Sequence, residues 1–160
     1  MNVVFTLGRV ALVVIFVISG AQKLTDINGT ADQIQSKLVI PPGLTDLTSQ
    51  IEATVGMPIW QILAIIVALV EVVGGLLIAF NVLTRTMAAV LLLYTAAATF
   101  YFHDFWNLPA GPERVNNITH ALKNLSIAGA LLMLAAWPRR LVLAEGPIHE
   151  RVVHERVEPL

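Results

Sequence analysis

Two ionisable residues lie inside stretches of the sequence that are otherwise apolar. Glu71 is near the middle of the second such stretch and shares a helix face with the small residues Ala64, Ala68 and Gly75. Small residues let another helix approach closely, so we expect the carboxylate to point into a helical bundle. Arg9, in the first stretch, is the candidate counter-charge because its estimated depth is similar. The sequence predicts a buried Arg9–Glu71 ion pair, which either fixes helix register or handles protons or a ligand.

A second group of polar residues is expected at the opposite end of the apolar stretches. Lys123 and Asn124 lie a turn or more inside the fourth stretch, and His120 shares a helix face with Asn124. We predict a pocket between the third and fourth stretches that holds and protonates an anionic or quinone-like head group. The candidate ligand-binding residues are Lys23, His103, Asp104, Trp106, Asn117, His120, Lys123 and Asn124. The alternative is an ordinary membrane interface with an aromatic belt and lysines that extend outward.

Four apolar segments must position these residues. They cover about residues 3–22, 60–80, 86–102 and 118–137, and a membrane crossing takes about 20 residues. The composition agrees, because the 160 residues are 56% hydrophobic and 13% charged, whereas a soluble domain has roughly 25% charged residues. The mean hydropathy is +0.75. We therefore predict an all-α integral membrane protein, with an up-and-down four-helix bundle over residues 1–140 that contacts the lipid bilayer.

The composition also excludes several classes of function. A net charge of −1 provides no basic field for binding nucleic acid. The absence of cysteine excludes disulfides, thiol nucleophiles, cysteine zinc sites and iron–sulfur clusters. We expect no metal site and no intrinsic cofactor. Haem held axially by His103 and His120 is an alternative, which requires the two rings to face each other across the third and fourth segments.

Basic residues near the segment ends indicate the orientation. One side carries the amino terminus, Arg85, Arg139 and Arg140, whereas the loops on the other side also contain acidic residues such as Asp46. We expect both termini to be cytoplasmic and the two longer loops to be outside.

The first outer loop is long enough to contain its own secondary structure. After Pro41-Pro42-Gly43, apolar residues recur at helical spacing from Leu44 to Val55. This pattern predicts a short amphipathic helix that lies on the outer membrane surface and covers the mouth of the bundle. An ordered but inert loop is the alternative.

Residues 141–160 form a polar tail with a short repeat. His149-Glu150-Arg151-Val152 returns as His154-Glu155-Arg156-Val157, and a period of five fits neither a helix nor a strand. We expect a solvated cytoplasmic tail. Docking onto a cytoplasmic partner and metal binding by the two histidines are the alternatives.

The order of these residues resembles the DoxX-like family of small membrane proteins from bacteria and archaea. The likeness covers about residues 7–138 and is carried by Gly8-Arg9, Lys23-Leu24, Gly56-Met57-Pro58, Glu71 with Gly74-Gly75, Phe102-His103-Asp104-Phe105-Trp106 and Lys123-Asn124-Leu125-Ser126. The resemblance implies a four-helix protein of the bacterial or archaeal cytoplasmic membrane. Some relatives are described as quinone-reducing thiosulfate oxidoreductase subunits, and others as partners in oxidative-stress or maturation complexes.

The resemblance and the polar clusters together suggest a membrane protein that serves a redox system. It would bind a quinone or another amphipathic ligand in the bundle, or anchor an oxidoreductase partner. Any catalysis is expected only within a quinone-linked oxidoreductase complex. The alternatives are a carrier that moves a small solute or protons past Arg9 and Glu71, and a purely structural subunit of a larger membrane complex.

Overall fold

The computed structural model describes residues 3–137, which contain α-helices and short 3₁₀ turns but no β-strand. The helices are α1 (Val3–Thr25), α2 (Ile27–Lys37), α3 (Thr45–Val55), α4 (Ile59–Ala79), α5 (Thr84–Phe102) and α6 (Pro112–Ala136). The 3₁₀ turns are Pro42–Leu44 and Phe105–Asn107. The predicted all-α class is confirmed. The polar tail with its repeat, and the arginines at 139 and 140, lie outside the described residues.

Helices α1, α4, α5 and α6 are long and apolar enough to cross a membrane. Large apolar side chains on their outer surfaces are exposed, among them Val14, Leu93 and Leu125. Water would disfavour so many exposed apolar side chains, whereas lipid accommodates them, so these faces contact the bilayer. Helix α6 begins at Pro112, ahead of the predicted start at residue 118. Proline fits the first helical turn, where its missing N–H costs no hydrogen bond.

Glycines set the close crossing of α1 and α4. A Cβ atom at Gly20 would lie 2.7 Å from the carbonyl oxygen of Ala68 and 2.9 Å from Cβ of Glu71. A Cβ atom at Gly75 would lie 2.9 Å from a methyl group of Val17. Only a residue without a side chain allows this approach. The small-residue face of α4 therefore packs on α1, and the register of the two helices places Glu71 opposite Gly20.

Two apolar clusters stabilise the bundle at different levels. The larger joins all four spanning helices through Val13, Phe16, Ile78, Ala88, Leu91, Leu131 and Leu134. It lies toward the end that carries the α4–α5 turn, which we call the inner end. The smaller cluster packs Ala31 and Ile34 of α2 against Ala64 of α4, at the opposite end, which we call the outer end.

Helix α2 covers the outer end, a role that the sequence had suggested for α3. Helix α3 forms where it was predicted but has no buried residue, and the prediction that it covers the mouth is wrong. Its polar face caps α4, because Oε1 of Glu52 accepts a hydrogen bond of 2.7 Å from the backbone N–H of Ile59. Asp26 caps the amino end of α2, because its carboxylate accepts a hydrogen bond from the N–H of Gly29.

Candidate ligand-binding site

A cavity of about 440 Å³ lies between α1, α2, α4, α5 and α6 toward the outer end. Most of its wall is apolar. The apolar lining includes Phe16, Leu63, Val67, Ala98 and Ile127. Polar side chains from all five helices also line it, and two of them form an ion pair.

That ion pair joins Lys23 of α1 to Glu71 of α4. The Nζ atom of Lys23 lies 2.8 Å from Oε2 of Glu71, and it also donates a hydrogen bond to Oγ of Ser19. The Ser19 hydroxyl donates a longer bond of 3.4 Å to Oε1 of Glu71. The Glu71 side chain is 4% exposed and that of Lys23 is 25% exposed. A carboxylate so deeply buried requires a cationic partner, and the lysine provides it.

The predicted Arg9–Glu71 pair is wrong. Arg9 is buried, but its guanidinium donates to Oδ1 of Asn81 and, at 3.2 Å, to the carbonyl oxygen of Ala79. The depth estimate placed the inner ends of both helices at one level, whereas Arg9 is level with the last residue of α4. Glu71 lies opposite Gly20, about 16 Å further along α1 than Arg9 at 1.5 Å per residue. Arg9 therefore caps the carboxyl end of α4.

Tyr94 and Thr95 of α5 are site residues that the sequence reasoning missed. Both line the cavity, and the Tyr94 side chain lies near the Glu71 carboxylate. Thr95 is buried and its hydroxyl donates to the carbonyl oxygen of Leu91. The sequence does contain one indication of this role. A tyrosine in an apolar helix needs a hydrogen-bond partner for its hydroxyl, and this protein also buries an acid.

Three of the eight predicted ligand-binding residues line the cavity, namely Lys23, His103 and Asn124. Asn124 donates a hydrogen bond of 2.9 Å to the hydroxyl of Thr99 on α5. His103 stacks on His120 of α6, with ring centroids 5.0 Å apart and an angle of 7° between the planes. Asn117 of α6 lies beside His103, and its side-chain amide donates a hydrogen bond of 3.1 Å to the carbonyl oxygen of Glu113. His120 and Asn117 thus support His103 and are not among the residues that line the cavity.

The other three candidates lie away from the cavity. Lys123 is exposed on α6. Asp104 forms a surface ion pair of 3.2 Å with Lys37 of α2. Trp106 is 47% exposed and packs against Phe100. The predicted pocket between the third and fourth segments is therefore replaced by a cavity among five helices.

The cavity is not fully enclosed, because exposed residues line it on α1 and α5 and Gln33 of α2 is exposed at its outer end. Ile15 of α1 and Tyr101 of α5 both line it, yet they are 50% and 41% exposed. Ile34 of α2 lines the cavity from the outer end and is only 6% exposed. The cavity therefore combines an apolar wall, access from the side and a polar floor at Lys23 and Glu71.

The model of the DoxX family matches residues 4–104, which include Lys23, Glu71, Tyr94 and His103. The chain belongs to the DoxX family. It is 31% identical over 136 residues to the inner membrane protein YphA of Escherichia coli (strain K12), covering 83% of this chain and 81% of YphA. It is 29% identical over 128 residues to the inner membrane protein YqjF of the same organism, covering 80% and 78% of the two chains. No solved structure gives a significant match.

These relatives agree with the four spanning helices. This DoxX family member is a multi-pass protein of the inner membrane. The family match ends at residue 104, so it covers α1 to α5 and the polar floor of the cavity, whereas Asn124 and His120 come from α6 beyond it.

Proposed function

We propose that this DoxX family protein binds a quinone in the cavity and serves a membrane redox system together with an oxidoreductase partner. The observation that supports this most is an apolar cavity that ends at a buried Lys23–Glu71 pair beside Tyr94. Its volume of about 440 Å³ is within the range of roughly 300–1,000 Å³ typical of small-molecule sites.

The polar floor suits the chemistry of a quinone ring. A quinone is a flat apolar ring with a carbonyl oxygen at each of two opposite edges, so it needs apolar walls and hydrogen-bond donors. Lysine has three donors, and Lys23 uses two of them on Glu71 and Ser19. The remaining N–H can be donated to one carbonyl oxygen, and the Tyr94 hydroxyl beside Glu71 can turn its single proton to the same oxygen. His103 and Asn124 line the same cavity and offer donors for the other.

Access from the side suits a ligand that is dissolved in the bilayer. Quinones of membrane redox systems carry a long apolar tail, which would extend between Ile15 and Tyr101 into lipid. The chain has no cysteine, so we assign it ligand binding and proton exchange and assign electron transfer to the partner. The carrier alternative relied on Arg9 and Glu71 acting together, and the distance between them removes that support.

Binding of decyl-ubiquinone to the full-length protein in lipid nanodiscs tests the proposal. We expect saturable binding that Tyr94→Phe weakens about two- to tenfold, since one hydrogen bond contributes roughly 0.5–1.5 kcal/mol. Lys23→Met is expected to abolish it. Lys123→Met removes an equivalent charge outside the cavity and is the matched control, with unchanged binding. Equal affinity in all four proteins would contradict the proposal.

A further inference from the structure

His103 is placed between the cavity and the outer end of the bundle. It follows the last residue of α5, and its backbone N–H donates to the carbonyl oxygen of Thr99. Its side chain lines the cavity but is only partly buried. His120 lies against its ring face and Asn117 lies beside it. The imidazole is therefore fixed in orientation at a position that contacts both the cavity and the outer surface.

The Lys23–Glu71 pair alone cannot transfer a proton from the surrounding water to a ligand in the cavity. Lysine and glutamate compensate each other's charge at 2.8 Å, and a proton that moves between them leaves the net charge of the site unchanged. A ligand that gains a proton needs a group that also exchanges with water. Among the side chains that line the cavity, imidazole is the one whose ordinary titration falls near neutral pH.

We propose that His103 is the proton-exchange site of the cavity and that His120 is a positioning residue that limits the pair to one positive charge. This inference rests on the proposed function. Two parallel imidazoles with centroids 5.0 Å apart resist double protonation, because like charges at that distance repel. The stack also prevents the ring of His103 from turning away from the cavity.

The charged groups near the two histidines already have other ion-pair partners. Asp104, next to His103 in the chain, is bound by Lys37 of α2 and by the side-chain amide of Asn107. Lys23 of α1 faces Glu71 of α4 at the floor. His103 is therefore free to take up or release one proton without breaking an existing ion pair.

Proton uptake during ligand binding tests this assignment. The probe is 2-hydroxy-1,4-naphthoquinone, which is an anion at neutral pH, and the neutral comparison is 1,4-naphthoquinone. Titration calorimetry in two buffers with different ionisation heats measures the protons taken up by the full-length protein in nanodiscs. We expect uptake approaching about one proton for the anionic probe, with an affinity that falls up to about tenfold per pH unit through the titration of His103. We expect no uptake for the neutral probe.

Two variants separate the roles of the histidines. His103→Asn should lose the proton uptake while the neutral probe still binds. His120→Phe keeps an aromatic ring against His103 but removes the second imidazole that competes for the one proton, so the pH of half-maximal uptake should move upward. Retained uptake in a folded His103→Asn protein overturns the inference. If that variant does not fold, an unchanged uptake midpoint in His120→Phe overturns it. Failure of both probes to bind the unmodified protein would instead contradict the proposed function.

Discussion

The ammonium group of Lys23 lies 2.8 Å from the carboxylate of Glu71, across a helix crossing that Gly20 makes possible. The lysine lies less than one turn beyond the glycine on α1. The two partners differ in exposure, at 25% for the Lys23 side chain and 4% for that of Glu71. The carboxylate therefore depends on the lysine more than the lysine depends on the carboxylate.

This asymmetry predicts unequal costs for the two single substitutions. Lys23→Met leaves a buried carboxylate unpaired and should lower the free energy of unfolding by about 3–5 kcal/mol. Glu71→Gln leaves an ammonium group that can turn toward water, and should cost about 1–2 kcal/mol. Thermal unfolding in one detergent shows which of the two variants loses more stability, and Lys123→Met is the control for removal of a lysine. A larger loss for Glu71→Gln than for Lys23→Met would contradict the burial argument.

Arg9 is predicted to act on the end of α4 and not on Glu71. Its guanidinium donates to Asn81 and to the carbonyl oxygen of Ala79, so Arg9→Met should cost about 1–3 kcal/mol through the loss of hydrogen bonds from a charged donor. A double-mutant cycle of Arg9→Met with Asn81→Ala should show coupling above about 0.5 kcal/mol, whereas one with Glu71→Gln should be additive within that margin. Coupling of Arg9 to Glu71 alone would restore the ion pair that the sequence suggested.

The crossing of α1 and α4 predicts a strong difference between glycines. Gly20→Ala adds a methyl group that would meet the Ala68 carbonyl oxygen at 2.7 Å, and such overpacking costs typically about 1–3 kcal/mol. It should also weaken quinone binding by separating Lys23 from Glu71. Gly129 lies in α6 with no atom near its added Cβ, so Gly129→Ala should leave stability equal or raised by about 1 kcal/mol. Thermal unfolding midpoints of the two variants measure this difference, and we expect a lower midpoint for Gly20→Ala than for Gly129→Ala. Equal midpoints would mean that the crossing is looser than it is in the structure.

The orientation of the bundle remains a prediction from charge. Arg85 lies in the first turn of α5 at the inner end, and the arginines at 139 and 140 follow α6 in the sequence, so the inner end should face the cytoplasm. Reporter fusions at residue 160 and within residues 41–43 should give cytoplasmic and external signals, respectively. The reverse pattern would contradict the orientation.

The spanning helices could be predicted from the sequence because lipid imposes a simple rule, namely a long apolar run with few charges. Helix α2 could not be predicted in this way, because its sequence is mostly polar and the apolar residues cover only a narrow face of the helix. Its stability comes from Ala31 and Ile34 against Ala64 of α4, a contact between residues far apart in the chain.

The partners of the buried charges were harder to predict than their burial. Glu71 was correctly placed inside the bundle by the small residues beside it. Its partner depends on the relative height of α1 and α4, which Gly20 and Gly75 set by contact and which hydropathy does not encode. The predicted height of α1 relative to α4 was wrong by a few helical turns, and Arg9 was therefore named as the partner of Glu71 instead of Lys23. Tyr94 was missed because its role depends on that same register.

Photoaffinity labelling with an azidoquinone tests quinone binding in this cavity, because it identifies the residues that a quinone contacts in the membrane. We expect label in the full-length protein to map to α1 around Ser19 and Lys23 and to α5 around Tyr94 and Ala98, and excess decyl-ubiquinone to remove it. Label that resists competition, or that is spread over lipid-facing positions such as Leu93 and Leu125, would contradict a quinone site in this cavity.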